Sequence, residues 1–176
     1  RRKYHCKSCG GWTLPRDESL GIGRGNYSVG VIALTSEVAA GFPFEASEDF
    51  LCRRFGLDLC YKQVQRLSER TGEVVSASEY DLAADLVADN VELLPRERPG
   101  CLTISADGLM VFSDGAWTEM KCASYLSDEH GRSTIATMGR AEKFGELLYL
   151  EAVRRGVQHA GEVVFVADGA AWIWNL

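Results

Sequence analysis

The hydrophobic period of this chain changes at Gly100, and that change sets what it can fold into. Before it, apolar residues recur at helical spacing. From Tyr27 to Gly41 they are Val29, Ile32, Ala33, Leu34, Val38 and Ala39. In "PFEASEDFLCRRFG", Pro43 suits an early helical position, Phe50, Leu51 and Phe55 mark an apolar face, and Gly56 stops the helix. A short link, "LDLC", leads to "YKQVQRLSERTG", where Val64 and Leu67 point inward. Another, acidic helix is expected in "SASEYDLAADLVADNVELLP", opened by Ser78 with Asp81 and striped by Leu82, Leu86, Val87 and Leu94. After Gly100 the period reads as strands: "CLTISADGLMVFS", "WTEMKCASYL" and a weaker "RSTIATM". "RAEKFGELLYLEAVRRG" returns to a helix, with Phe144, Leu147, Leu148, Leu150 and Val153 facing in and Gly156 at its end. "EVVFVAD" is a continuous apolar run, which predicts burial on both faces in the middle of a parallel sheet. The order after Gly100 is β-β-β-α-β.

At 176 residues the chain has room for one good domain plus an appendage. Its 46% hydrophobic and 25% charged residues are ordinary for a globular protein. No segment reaches the ~18 apolar residues of a membrane span, which argues against a membrane partner. Six cysteines, at 6, 9, 52, 60, 101 and 122, include one close pair. The other four sit singly in apolar surroundings, which predicts a reduced, cytoplasmic chain rather than a disulfide scaffold. The first residue is Arg1 and no basic–apolar–small pattern follows, so the start reads as a cut edge rather than a targeting peptide. "PRERPG" is a linker by composition. The expected division is residues 1–25, a basic knuckle and loop; 26–95, helical; and 100–176, the β-β-β-α-β domain.

The net charge of −6 is uneven. Residues 1–70 hold 11 Lys and Arg against 8 Asp and Glu, while residues 71–176 hold 8 against 17. That fits a basic binding module joined to an acidic body; two ordinary solvated surfaces would look the same. Helix, short turn, then a helix carrying Lys62, Gln63, Arg66 and Arg70 is the outline of a helix-turn-helix. Arg and Gln suit base edges, and Lys and Arg suit phosphates. A plain helical hairpin with a solvated face has the same outline.

Two strands end alike, "LTISADG" and "VVFVADG". Taken singly, Asp107-Gly108 fits a type I′ hairpin turn, and Asp168 fits the cap of a helix starting at Gly169. Taken together they point elsewhere. If the 101–107 strand pairs in parallel with the 162–167 strand, both carboxylates meet at one end of the sheet. Close carboxylates repel unless a proton or cation lies between them. Mg²⁺ and Mn²⁺ fit that place and support phosphoryl transfer. The β-β-β-α-β order with acids on the first strand and after the fourth matches the ribonuclease H-like fold.

The chain also resembles bacterial insertion-sequence transposases of the DDE class, the ISKra group and its relatives. The matching segments are "YHCKSCG" (4–10), "LPRDESLG" (14–21), "FPFEAS" to "RRFGLDLCYKQVQRLSERTGE" (42–73), "ISADGLMV" (104–111), "WTEMK" (117–121) and "VADGAAWIWNL" (166–176). They run along nearly the whole chain, and the last is the most specific. The resemblance implies a helix-turn-helix-like region followed by a partial ribonuclease H-like domain. It makes Asp107 and Asp168 the first two acids of a triad that holds Mg²⁺ or Mn²⁺. The third, a glutamate on a later helix, is expected beyond Leu176. Glu142, Glu146 and Glu151 precede Asp168 and do not fill that role.

The implied activity of the full-length protein is metal-dependent DNA cleavage and strand transfer at transposon ends, with a possible homodimer. The fragment itself is expected to be nearly inactive. Cys6-x-x-Cys9 supplies two of the four ligands a structural Zn²⁺ needs. Since the family's second pair lies upstream, the pair here is half a zinc ribbon, expected to be metal-free alone. Trp172 and Trp174 are candidates for stacking on an unpaired base, though such residues are more often core. Lys121 is a candidate phosphate contact on the "WTEMK" strand, and otherwise an ordinary exposed lysine. His130 and His159 receive no role. The alternative is a non-enzymatic DNA-binding remnant. A small-molecule α/β enzyme is a weaker option, because no glycine-rich phosphate loop follows the first strand.

Overall fold

The computed structural model of the protein describes residues 3–14, 16, 17, 20, 22, 27–113, 115–128 and 131–175. His130, the middle of "LPRDESLG" and most of the loop to Gly25 lie outside the described residues. The chain divides into two compact units, residues 1–76 and 77–176.

The first unit opens with a small hairpin, β1 (Tyr4–His5) and β2 (Trp12–Thr13), paired antiparallel. Two helices and the first part of a long third are described after Tyr27. In α1 (Val29–Gly41), Ser28 caps the start by accepting from the Val31 N–H at 3.4 Å. Helix α2 (Phe44–Phe55) begins after Pro43 and stops at Gly56, whose φ of 64° only glycine adopts cheaply. Helix α3 covers Tyr61–Val87. Val38, Leu51, Leu59 and Val64 form the core, with Val31, Leu34 and Leu67 packed against it. Leu51 and Val64 are fully buried, so Leu51→Ala should cost about 2–5 kcal/mol.

Two expectations fail in this unit. Phe50 and Phe55 do not share the buried face of α2 with Leu51; both are exposed and stack in a row with Phe42. Phe50 lies about 100° around the helix from Leu51, and Phe55, though one turn on from Leu51, is the last residue of α2, next to Gly56. The chain also does not break at Gly72. Helix α3 runs through it and through Ser78, so Ser78 caps nothing. One glycine costs a helix only about 1 kcal/mol against Ala. Thr71 beside it bonds back to the Leu67 carbonyl and accepts from Ser36 on α1. The helix ends instead near Asp89, the one described non-glycine residue with positive φ. Val87 and Leu94 are exposed rather than part of the inward stripe.

The second unit is a mixed α/β layer. Its four-stranded sheet has the order β5-β4-β3-β6, from β3 (Cys101–Ser113), β4 (Ala116–Ser127), β5 (Gly131–Thr137) and β6 (Glu162–Ala167). The pairs β3–β4 and β4–β5 are antiparallel. β3 and β6 are parallel, in register from Cys101↔Glu162 to Ala106↔Ala167. Helix α4 (Ala141–Arg154) supplies the crossover, and a one-turn helix α5 (Ala171–Trp174) follows β6. Alternate residues of the strands, Leu102, Ile104, Ala106, Ala123 and Tyr125, meet Phe144, Ala152 and Ile173 in one core. The buried Tyr125 hydroxyl donates to the Leu148 carbonyl at 2.7 Å. Burial pushes its phenol far above the usual range, and the Glu151 charge adds to this.

The apolar run "VVFV" is not enclosed on both faces. Among the described residues β6 pairs only with β3, and Val163 and Val166 are 45% and 53% exposed. Its core side rests on Phe165 and Ala167 alone. The stretch 95–100 is not a free tether either. The Arg96 N–H donates to the Arg154 carbonyl, and Pro99 and Gly100 carbonyls accept from Gly161 and Glu162. Glu97 is buried and ion-paired with Arg155. The approach is so close that a Cβ on Gly156, at φ 72°, would stand 2.1 Å from the Glu97 carbonyl oxygen.

Candidate functional site

Asp107 lies within β3 and not at a hairpin turn. The β3–β4 turn is further on, where Gly115 takes a φ of 81°. The last register pair of the parallel strands is Ala106↔Ala167, so Asp107 on β3 and Asp168, one residue past the end of β6, come next along the two chains. Ala106 and Ala167 both belong to the core, which turns Asp107 to the opposite, open face. Both aspartates are exposed. Asp107 Oδ1 accepts from the Gly108 N–H at 2.8 Å, and Asp168 Oδ1 from the Ala170 N–H at 2.9 Å. The second bond makes a tight turn after β6, so helix α5 begins at Ala171 and not at Gly169. Trp174, which meets Phe165 edge-to-face, donates its indole N–H to the Asp168 carbonyl at 2.9 Å and pins the same turn.

Cys122 is the register partner of Asp107. Its thiol donates to the Asp107 carbonyl at 3.5 Å. Burial, then the Asp107 charge, raises its pKa.

On the core side of the same strands lies a second cluster. Gly108 opposes Lys121, and a Cβ on Gly108 would stand 2.7 Å from Glu119 Oε1 and 3.4 Å from Trp172. Lys121 Nζ pairs with Glu119 Oε2 at 2.7 Å and stands 5.2 Å from the Trp172 ring centre. Lys121 is therefore a buried, paired lysine rather than an exposed one. Trp172 is half-buried against Phe144 and serves the core, whereas Trp174 is 59% exposed. The sequence reading missed the role of Gly108, although an isolated glycine in a strand signals a close approach.

A groove of about 690 Å³ lies between α4 and α5, lined by Leu148, Ala152, Trp172 and Asn175 among others. Neither aspartate lines it. Asp107 and Asp168 are exposed at the end of the β3–β6 pair.

In the first unit, Lys62, Arg66 and Arg70 are exposed at four-residue intervals along α3 and form one stripe. Gln63 differs: its side-chain oxygen accepts the Cys60 N–H at 3.0 Å and caps the helix start. At the hairpin, Cys6 and Cys9 are exposed. Hydrogen bonds from the Ser8 side chain, then from Cys9, lower the Cys6 pKa to about 6.

Two carboxylates with one uncommitted oxygen each fit a hard divalent cation, since Mg²⁺ commonly takes one or two protein carboxylates and leaves its other positions to water or phosphate. No Lys or Arg among the described residues pairs with either aspartate, so their charge is not already neutralised. No group of three or more His, Cys, Asp or Glu able to hold a metal occurs among the described residues. No described helix is long and apolar enough to cross a membrane. Compared with known proteins, the chain matches no protein-family model and no curated protein.

Proposed function

We propose that this chain is part of a DDE-class insertion-sequence transposase, with a ribonuclease H-like second unit and a helix-turn-helix in the first. The observation that carries this reading is the parallel register of β3 and β6, which brings Asp107 and Asp168 next along the two chains, both exposed. Asp107 and Asp168 would hold Mg²⁺ or Mn²⁺ through the oxygens not engaged by backbone N–H groups. Such an ion, when bound, supplies Lewis-acid activation for phosphoryl transfer. The N–H groups of Gly108 and Ala170 fix the two carboxylates, and Trp174 holds the turn that presents Asp168. Lys62, Arg66 and Arg70 would contact DNA phosphates.

Mn²⁺ titration followed by electron paramagnetic resonance tests the site. Binding should weaken at least tenfold in Asp107→Asn and in Asp168→Asn. Binding unchanged in both variants refutes it.

A second reading, DNA binding without chemistry, is favoured by the exposed stripe on α3. It predicts DNA affinity that falls with salt, and a log–log slope reduced by about 1 for each of Lys62, Arg66 or Arg70 changed to Ala. Unchanged slopes refute that role.

A further inference from the structure

We propose that Lys121, Glu119 and Trp172, gathered over Gly108, are positioning residues that set where Asp168 stands beside Asp107, a proposal that rests on the acid pair being the metal site.

The two acids are carried by different segments. Asp107 belongs to β3, whereas Asp168 lies past the end of β6 and beyond the last ladder pair, Ala106↔Ala167. The ladder therefore does not hold Asp168. Its place depends on how the turn and helix α5, starting at Ala171, are seated. Trp172 seats them. A Cβ on Gly108, the residue next to Asp107, would lie 3.4 Å from Trp172 Cζ2, so the ring stands over bare backbone. On another side the ring meets Phe144 edge-on, centres 5.6 Å apart.

Lys121 closes the arrangement. It is the register partner of Gly108 on β4 and only 8% exposed. Its Nζ stands 5.2 Å from the Trp172 ring centre, within reach of a cation–π attraction. Glu119 Oε2 pairs with the same ammonium at 2.7 Å. Glu119 and Lys121 share one side of β4, as alternate strand residues do. The other Glu119 oxygen fills the space above Gly108, where a Cβ would stand 2.7 Å away. A lysine this buried loses its compensation if it leaves the carboxylate, which holds it in one place. Contacts thus run from β4 through Lys121 to Trp172, and on to the turn. There the Ala170 N–H donates to Asp168 Oδ1 and the Trp174 indole to the Asp168 carbonyl. Glycine at 108 is a condition of the arrangement, since a side chain would push Glu119 aside.

The test is Mn²⁺ affinity by electron paramagnetic resonance, joined to hydrogen exchange of the Ala170 amide by nuclear magnetic resonance, which needs no metal. Lys121→Met keeps the stem and loses the charge. It should weaken Mn²⁺ binding about tenfold, the scale on which losing support behind a metal ligand acts, and speed exchange at Ala170. Lys121→Arg still pairs with a carboxylate and stacks on an aromatic ring, so it should restore both. Gly108→Ala keeps the backbone N–H and displaces Glu119, so it should act in the same direction even if Lys121→Met does not fold. Leu150→Ala, in the other core cluster of this unit, should lower stability yet leave both readouts unchanged where the fold is intact. A Mn²⁺ loss below about threefold with Ala170 exchange unchanged overturns the proposal, as does an equal loss in Leu150→Ala. If Asp107→Asn and Asp168→Asn weaken binding and Lys121→Met does not, this proposal alone falls. If the aspartate variants bind as the wild type does, the acid-pair reading falls and takes this one with it.

Discussion

Replacing Arg155 by Met should be among the most damaging changes in the second unit. Arg155 and Glu97 are both buried and ion-paired. Arg155 Nη2 donates to Ser127 Oγ at 2.9 Å and to the Gly131 carbonyl at 2.7 Å, and Ser127 Oγ donates to Glu97 at 2.6 Å. The network ties α4 to β4, β5 and the stretch that enters β3. Removing the guanidinium leaves the Glu97 carboxylate, 1% exposed, with one hydroxyl for company. Stranding one member of a buried pair costs about 3–5 kcal/mol. For a chain of this size that lowers the melting temperature by about 6–20 °C. Replacing both partners, Glu97→Leu with Arg155→Met, removes the stranded charge, so the double variant should be more stable than Arg155→Met alone. Urea denaturation of the wild type, both single variants and the double variant closes the cycle. A double variant whose loss equals the sum of the singles would refute the argument, as would an Arg155→Met cost below about 1 kcal/mol.

Three other outcomes follow from the same geometry. The Cys6 thiol, lowered to about 6 by Ser8 and Cys9, should alkylate with a rate midpoint near that pH, and Ser8→Ala should move the midpoint up; mass spectrometry after timed iodoacetamide pulses reads this. Arg154 holds the Glu79 carboxyl below its usual range through bonds of 2.6 and 2.9 Å. A depressed carboxyl stabilises the fold above its unfolded pKa, ~4, and loses that contribution as pH falls through the folded value. Glu79→Gln should therefore lower the denaturation midpoint at neutral pH, and the gap should close in acid; a gap independent of pH contradicts this. Gly156→Ala should cost about 2–5 kcal/mol, combining a left-handed φ with a backbone clash, and a near-neutral result in thermal melts would exclude that close approach.

Where a side chain's role follows from its own strand or helix, the sequence was legible. The alternation from Cys101 to Ser113 placed β3, and the Leu102, Ile104, Ala106 face is the one buried. The order of elements and the crossover helix allowed a parallel β3–β6 pair, and the register from Cys101↔Glu162 to Ala106↔Ala167 realises it. Local signals misled where tertiary contacts decide. Thr71-Gly72 reads as a stop, yet α3 runs through it, with Thr71 bonded to Ser36 of α1. "PRERPG" reads as a linker because Glu97 gives no hint of Arg155, far along the chain. Lys121 reads as a surface lysine until Gly108 makes room for Glu119 beside it. At the acid pair, the positions were legible, but the turn that presents Asp168 depends on Trp174, which reads only as core or as a stacking platform.

The edge formed by β6 has a cost that grows with concentration. Val163, Val164 and Val166 stand on it exposed, with Glu162 as the strand's one charge. Such a border works as a template: any extended, apolar chain that drifts alongside gains a ladder of amide bonds without unfolding anything. Dilute, the protein stays as it is. Crowded, during synthesis or in a test tube, it competes with itself for that vacancy, and its shelf life becomes a question of how many neighbours it has.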